Sequence, residues 1–197
     1  MIRTTERLLL RPFKTRDWPA LHRYLSDPEV VRFEPYDVFS PEEARRETER
    51  RAQSEAFVAV CLKDTDEPIG NLYLGRHGEG QFELGYVFAR NAWGNGYATE
   101  AATAALDALF ALDTTHRVFA ECNPQNGASE RVMLRLGMRR EGYLRENVFF
   151  HRDRETGAPL WQDTLVYAVL REEWLVRHPR AGEHLGEGFA GLNGQGG

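Results

Sequence analysis

Two glycines, Gly94 and Gly96, stand between a strand-like run and an alanine-rich helical run, in the segment Trp93-Gly94-Asn95-Gly96-Tyr97-Ala98-Thr99-Glu100-Ala101. Glycine lets a backbone approach a ligand closely, and the first N–H groups of a helix have no partner inside it. Together they make an anion site suited to a pyrophosphate. The same spacing also serves an ordinary tight turn from strand to helix. Two nucleotide-binding patterns are excluded. No Lys-Ser or Lys-Thr pair follows the glycines, as an ATP-type phosphate loop requires. The third glycine of the dinucleotide fingerprint is also missing, and the preceding strands read as antiparallel.

Metal chemistry finds no support in the residue pattern. Cys61 and Cys122 lie in separate apolar runs without Cys-x-x-Cys spacing, and the six histidines are scattered, so neither a disulfide scaffold nor a metal site is expected. The 197 residues carry 25 Lys+Arg against 30 Asp+Glu, a net charge of −5. That balance argues against a nucleic-acid partner, whose phosphates are held by excess cations, and fits an amine-bearing one. Only Lys14 and Lys63 are lysines. No stretch reaches the roughly 18–20 apolar residues of a membrane span. Arginines flank Leu8-Leu9-Leu10 too closely for a signal-peptide core. The expectation is a cytoplasmic protein with no membrane partner.

The elements that must position the glycine loop alternate in period. Leu8–Phe13 reads as a short strand, and Thr15-Arg16-Asp17 as the cap of a helix through Leu25. Ser40-Pro41-Glu42-Glu43 combines a cap, a proline at the first helical position and acids at the positive end of the dipole. Strands are expected at Phe57–Leu62, Ile69–Leu74 and Phe82–Phe88, with turns at 64–68 and 77–80. A helix runs from Gly96 to about Leu112, a strand follows at Arg117–Cys122, and a second helix ends at Gly137 as its C′ residue. Two last strands, Met138–Phe150 and Leu160–Leu170, flank a turn around Gly157. This is an α+β layout around one mixed sheet. Residues 1–178 form the expected domain, and the glycine-rich stretch 179–197, with little to bury, is expected to be a flexible tail.

The segment Trp93–Ala101 resembles motif A of the GCN5-related N-acetyltransferases (GNAT), with Trp93 where Gln or Arg usually stands. That departure is shared with the branch that acetylates ribosomal-protein N-termini (the RimJ/RimL type). The likeness extends from Thr5-Glu6-Arg7-Leu8-Leu9-Leu10-Arg11-Pro12, through Asn123–Ser129 and Arg135-Leu136-Gly137-Met138, to Trp161-Gln162-Asp163 and Tyr167–Trp174. It covers roughly residues 2 to 176. It implies a central, mostly antiparallel mixed sheet of about seven strands, splayed at a bulge and flanked by about four helices. It also implies acetyl-CoA as donor. The backbone of Val87 and Phe88 would pair with the pantetheine arm, and Trp93, Gly94, Asn95, Gly96, Tyr97 and Ala98 would hold the pyrophosphate. Asn123 and Asn126 would bond the arm or cap a helix, and Arg135 would reach the nucleotide phosphates.

Amine acylation needs a base for the amine proton and an acid for the departing thiolate. An α-amine, with pKa near ~8, asks less of the base than a lysine near ~10.4. Glu83 is the first choice as base and Glu121 the second. Ser129 is the first choice as acid and Tyr143 the runner-up. The acceptor end is expected from the segment Asp27–Ser40 and the last hairpin. Phe33 and Tyr36 would supply an apolar wall, and Glu34 and Asp163 would supply acids that attract a cation. An exposed strand position for Glu83, a core position for Phe33 and a local backbone bond for Ser129 are the plainer alternatives. The resemblance favours a peptide α-amine as acceptor, leaves a small-molecule amine or a non-catalytic acyl-CoA sensor as rivals, and allows a homodimer.

Overall fold

The structure is a computed structural model that describes residues 2–182. One 8-stranded sheet runs in the order β1-β2-β3-β4-β5-β6-β8-β7. Its strands are β1 (Arg3–Thr4), β2 (Leu8–Pro12), β3 (Phe57–Leu62), β4 (Glu67–Arg76), β5 (Gln81–Phe88), β6 (Arg117–Cys122), β7 (Arg139–Arg152) and β8 (Pro159–Leu170). Among the described residues only β5 and β6 pair in parallel. The helices are α1 (Trp18–Leu25), α2 (Pro28–Val31), α3 (Pro41–Ala52), α4 (Tyr97–Phe110), α5 (Gly127–Arg135) and α6 (Arg171–Arg177).

This is the expected α+β architecture with small differences in count. The added strand, β1, has two residues, too few to show a period. The single turn α2 starts at Pro28 under the Asp27 cap, whose carboxylate accepts the Glu29 N–H. The longer α3 begins as expected, with Ser40 and Glu43 bonding each other's backbone N–H groups as a capping box. Residues Pro179–Gly182 form a 3-10 turn with Ala181 buried, so ordered chain runs four residues past the expected domain end. The expected flexible tail otherwise lies outside the described residues.

Side chains alternate across a strand, and here both faces are covered. Val58 and Val60 of β3 join Leu72, Leu84, Leu106 and Trp174 in a core under α4, α5 and α6. Ala59 and Cys61 of the same strand turn the other way, into a second core with Leu21, Tyr24, Val31 and Val87 under α1, α2 and α3. Buried Arg11 bonds Asp17 at 2.7 Å and also pairs with Asp66, tying the end of β2 to the start of α1 and the β3–β4 turn.

Candidate active site

The sheet opens at its parallel seam. Pairing between β5 and β6 covers Gln81↔Arg117, Phe82↔Val118 and Glu83↔Phe119 and then stops, although β5 continues to Phe88 and β6 to Cys122. The register of β5 on β4 is unbroken from Phe82 to Phe88, so the expected bulge is absent from this pair and the opening comes from divergence of β5 and β6. A cleft of about 1710 Å³ runs through the gap from the glycine loop to the segment 29–39.

Alternation decides which peptide groups face that gap. Ala89 N–H donates to the Ile69 carbonyl at 2.8 Å and His77 N–H to the Gln81 carbonyl at 2.9 Å. Hydrogen-bonded pairs recur every second residue in an antiparallel ladder, so Val87–Asn71, Gly85–Tyr73 and Glu83–Gly75 also spend their peptide groups on each other. The expectation for the Val87 backbone is therefore corrected. Tyr86 and Phe88 present peptide groups to the gap, and the Phe88 carbonyl already accepts the Trp93 indole N–H at 2.8 Å.

The loop after β5 is built to receive an anion. Gly94 and Gly96 have φ of 76° and 79°, values that L side chains rarely adopt, and a Cβ at Gly94 would meet nothing within 4 Å. Gly96 is the cap of α4 and offers no side-chain bond, so the first N–H groups of the helix stay open. The Thr99 hydroxyl, on the cleft, is buried without a hydrogen-bond partner. An orphaned donor beside open helical N–H groups fits a diphosphate. Asn95, by contrast, turns its amide back on the Ala92 and Trp93 carbonyls and braces the loop. Arg7 locks it from outside, donating to the Asn95 carbonyl at 2.9 Å, pairing with Glu100 and lying 4.6 Å over the Tyr97 ring. Arg135 lines the same end of the cleft.

On the face shared by Glu83, Gly85 and Val87, two carboxylates meet. Glu83 and Glu121 both line the cleft, and Glu121 is raised above the usual carboxylate range, first by partial burial and then by the charge of Glu83, with His77 opposing. His77 Nε2 lies 2.9 Å from Glu83 Oε2. Tyr73 lies along the same face over Gly75, where an added Cβ would stand 2.4 Å from the phenol oxygen.

Ser129 stands across the gap. Its Oγ and its carbonyl are each 2.9 Å from the Tyr86 hydroxyl, and its N–H donates to the capping Asn126 side chain at 3.1 Å. Burial pushes the Tyr86 phenol up and the neighbouring Cys122 thiol to about 11, so both keep their protons near neutrality. Asn126 thus serves as the helix cap, and Asn123 bonds Gln162 at 2.9 Å. Tyr143 does not reach this point. Its hydroxyl donates to Asp163, its ring is half exposed, and it is absent from the cleft lining. Asp163 does line the cleft, but its oxygens already accept from Tyr143 and from Glu146 N–H.

At the far end, Phe33, Glu34 and Tyr36 line the cleft beside Arg50, Arg51 and Asn71. Phe33 lies outside both cores, so it is wall. Buried Arg51 donates to Glu47 at 2.7 Å and to Asn71 at 2.9 Å, and Asn71 also accepts from Tyr24 at 3.0 Å. Burial pushes Glu34 up to about 7, against the pull of the Tyr36 hydroxyl and of Arg51. Sequence reading missed Tyr86, Tyr73, His77, Thr99 and Arg7 as site residues. Of these, Thr99 and Arg7 lie within the motifs that carry the family resemblance, and Tyr86 lies within the strand that leads into the glycine loop.

A sheet parted beside a glycine-lined helix mouth, with carboxylates on one wall, is the frame of an acyl-transfer enzyme. The chain belongs to the GNAT acetyltransferases: the model of the acetyltransferase (GNAT) domain matches residues 7–139. It is therefore an N-acetyltransferase. It is similar to YnaD, an uncharacterized N-acetyltransferase of Bacillus subtilis, at 39% identity over 174 residues, 87% of this chain and 98% of that one. A GNAT-family acetyltransferase structure from Bacillus anthracis superposes with a TM-score of 0.79 at 36% identity, covering 88% of this chain and 100% of that one. More distant relatives in Escherichia coli are the ribosomal protein uS5-alanine N-acetyltransferase, 28% identical over 87% of this chain and 91% of that one, and spermidine N(1)-acetyltransferase, 21% identical over 89% and 92%. Among the described residues no helix is long and apolar enough to cross a membrane.

Proposed function

We propose that the protein moves the acetyl group of acetyl-CoA to the α-amine at the N-terminus of a peptide or protein. The carrying observation is the seam that parts after Glu83↔Phe119 and leads straight to the open N–H groups of α4. Acetyl-CoA supplies an activated thioester. The open helix mouth and Thr99 hold its diphosphate, and the Phe88 N–H or the Tyr86 N–H polarises the thioester carbonyl, where charge develops as the amine attacks. Glu83, with Glu121 beside it, takes the proton of the amine. Ser129, backed by the Tyr86 hydroxyl, donates to the sulfur that leaves.

The choice of a peptide acceptor rests on the far wall. Tyr73 and Arg50, whose guanidinium is anchored on Glu47, give it hydrogen-bond donors that suit the carbonyls of a peptide. A carboxylate working on an α-amine also has the smaller proton-transfer task. The higher identity to the uS5-alanine enzyme than to the spermidine enzyme points the same way.

The test is a panel of peptides, spermidine and aminoglycosides with acetyl-CoA, read by release of free thiol. Turnover should be confined to peptides with a free N-terminus and should fall in Glu83→Gln and Ser129→Ala. Turnover of the small amines alone would overturn the acceptor. Acetyl-CoA at about 100 times its Kd should stabilise the fold by ~2.7 kcal/mol, and the absence of any thermal shift would overturn the donor.

A further inference from the structure

We propose that His77 is a positioning residue for Glu83, fixing one carboxylate oxygen so that the other is presented to the cleft. The inference rests on Glu83 as the base. His77 Nε2 is 2.9 Å from Glu83 Oε2. An ionised carboxylate has no hydrogen to give, so Nε2 carries the hydrogen and donates, which leaves Nδ1 as the basic nitrogen.

The ring is held in place. It stands edge-on to Phe119 with centroids 5.1 Å apart at 80°, and Phe119 is the residue paired with Glu83 at the last rung of the parallel seam. The imidazole therefore sits where the two strands begin to part. Its side chain is 53% exposed against 31% for Glu83, so it stands on the solvent side of that carboxylate.

His77 acts through this hydrogen bond alone, and no bond is made or broken at the ring. The other charged groups around the ring are Glu121 and Arg117 on β6, Glu79 in the turn and Arg76 at the end of β4. Arg117 lies over Phe119 and pairs with Glu141, and Arg76 lies over Phe82, whose peptide alternation puts it on the opposite face. Glu121 is the one that shares the wall of the cleft.

The test compares His77→Ala with His77→Gln, whose amide N–H takes the place of Nε2. His77→Ala should lower kcat about tenfold at pH 8 with the KM for acetyl-CoA unchanged. His77→Gln should recover kcat to within about threefold of the parent at pH 8, with the KM for acetyl-CoA again unchanged. A His77→Ala protein with parental kcat overturns the proposal, as does a His77→Gln protein no better than His77→Ala. Glu83→Gln is the control. If it stays active the base reading has failed, whereas an inactive Glu83→Gln beside a fully active His77→Ala sinks the role of His77 alone.

Discussion

Glu34 offers a measurement of the acceptor end that needs no substrate. Burial pushes its carboxyl from the ordinary 4.5 up to about 7, and the Tyr36 hydroxyl and Arg51 recover only part of the loss. A raised acid binds more protons in the folded than in the unfolded chain between those two values, so folding stability falls as pH rises through that window. At about 1.36 kcal/mol per pH unit of displacement, the full penalty is about 3 kcal/mol, complete above pH 7 and absent well below 4.5. Glutamine at this position is neutral throughout and keeps an oxygen for the Tyr36 hydroxyl.

Glu34→Gln should therefore match the parent most closely at pH 5 and gain on it steadily toward pH 8. The gap opens by about 2 kcal/mol over that range, because the unfolded carboxyl is already partly ionised at pH 5. In a chain of this size that is about 4–8 °C in Tm. Calorimetry or urea unfolding at half-unit steps from pH 5 to pH 8 reads it directly. Parallel stability curves for the two proteins would refute the burial argument, and a gap that narrows with pH would reverse its sign.

Three further outcomes follow from contacts in the cleft. Gly75→Ala sets a Cβ against the Tyr73 phenol, so the ring, which lines the cleft, must leave its present position. The KM for the amine should rise severalfold, with acetyl-CoA affinity by calorimetry unchanged. Arg7→Leu removes the bonds to the Asn95 carbonyl and Glu100, and acetyl-CoA affinity should fall by about tenfold, or ~1.4 kcal/mol, with a smaller change in kcat. Tyr86→Phe leaves Ser129 without its hydroxyl partner and should lower kcat about tenfold or more, while a donor thioester with a more acidic thiol should recover part of the loss.

How far the sequence discloses this site follows from how its parts are strung along the chain. The donor end is local. Strand, glycines and helix mouth fall within residues 83–101, and their types speak for themselves, because glycine is nearly free at φ of 76° and 79° and few other residues are. Strands Phe57–Leu62 and Arg117–Cys122 are likewise readable to the residue, since the first alternates into cores on both faces and the second buries every other residue in one. The Ser40 capping box announces α3 for the same local reason.

The acceptor end has no such economy. Tyr73 matters because Gly75 lies beneath it and Gly85 pairs beside it, which requires the register of β4 on β5. Tyr86 looks like any strand aromatic until its hydroxyl is found on Ser129, 43 positions later. Tyr143 shows the converse. It has the right chemistry, but β7 slips its register between Leu144 and Val148, with Glu146 at a φ of 46°, and Asp163 takes the hydroxyl. A part held together by neighbours in sequence can be read from residue types, and a part held together by register and by contacts tens of residues apart cannot. The donor-binding end of this enzyme is of the first kind. On the reading proposed for it, its acceptor wall is of the second, built in part from positions such as Tyr73 and Arg51 that carry no motif.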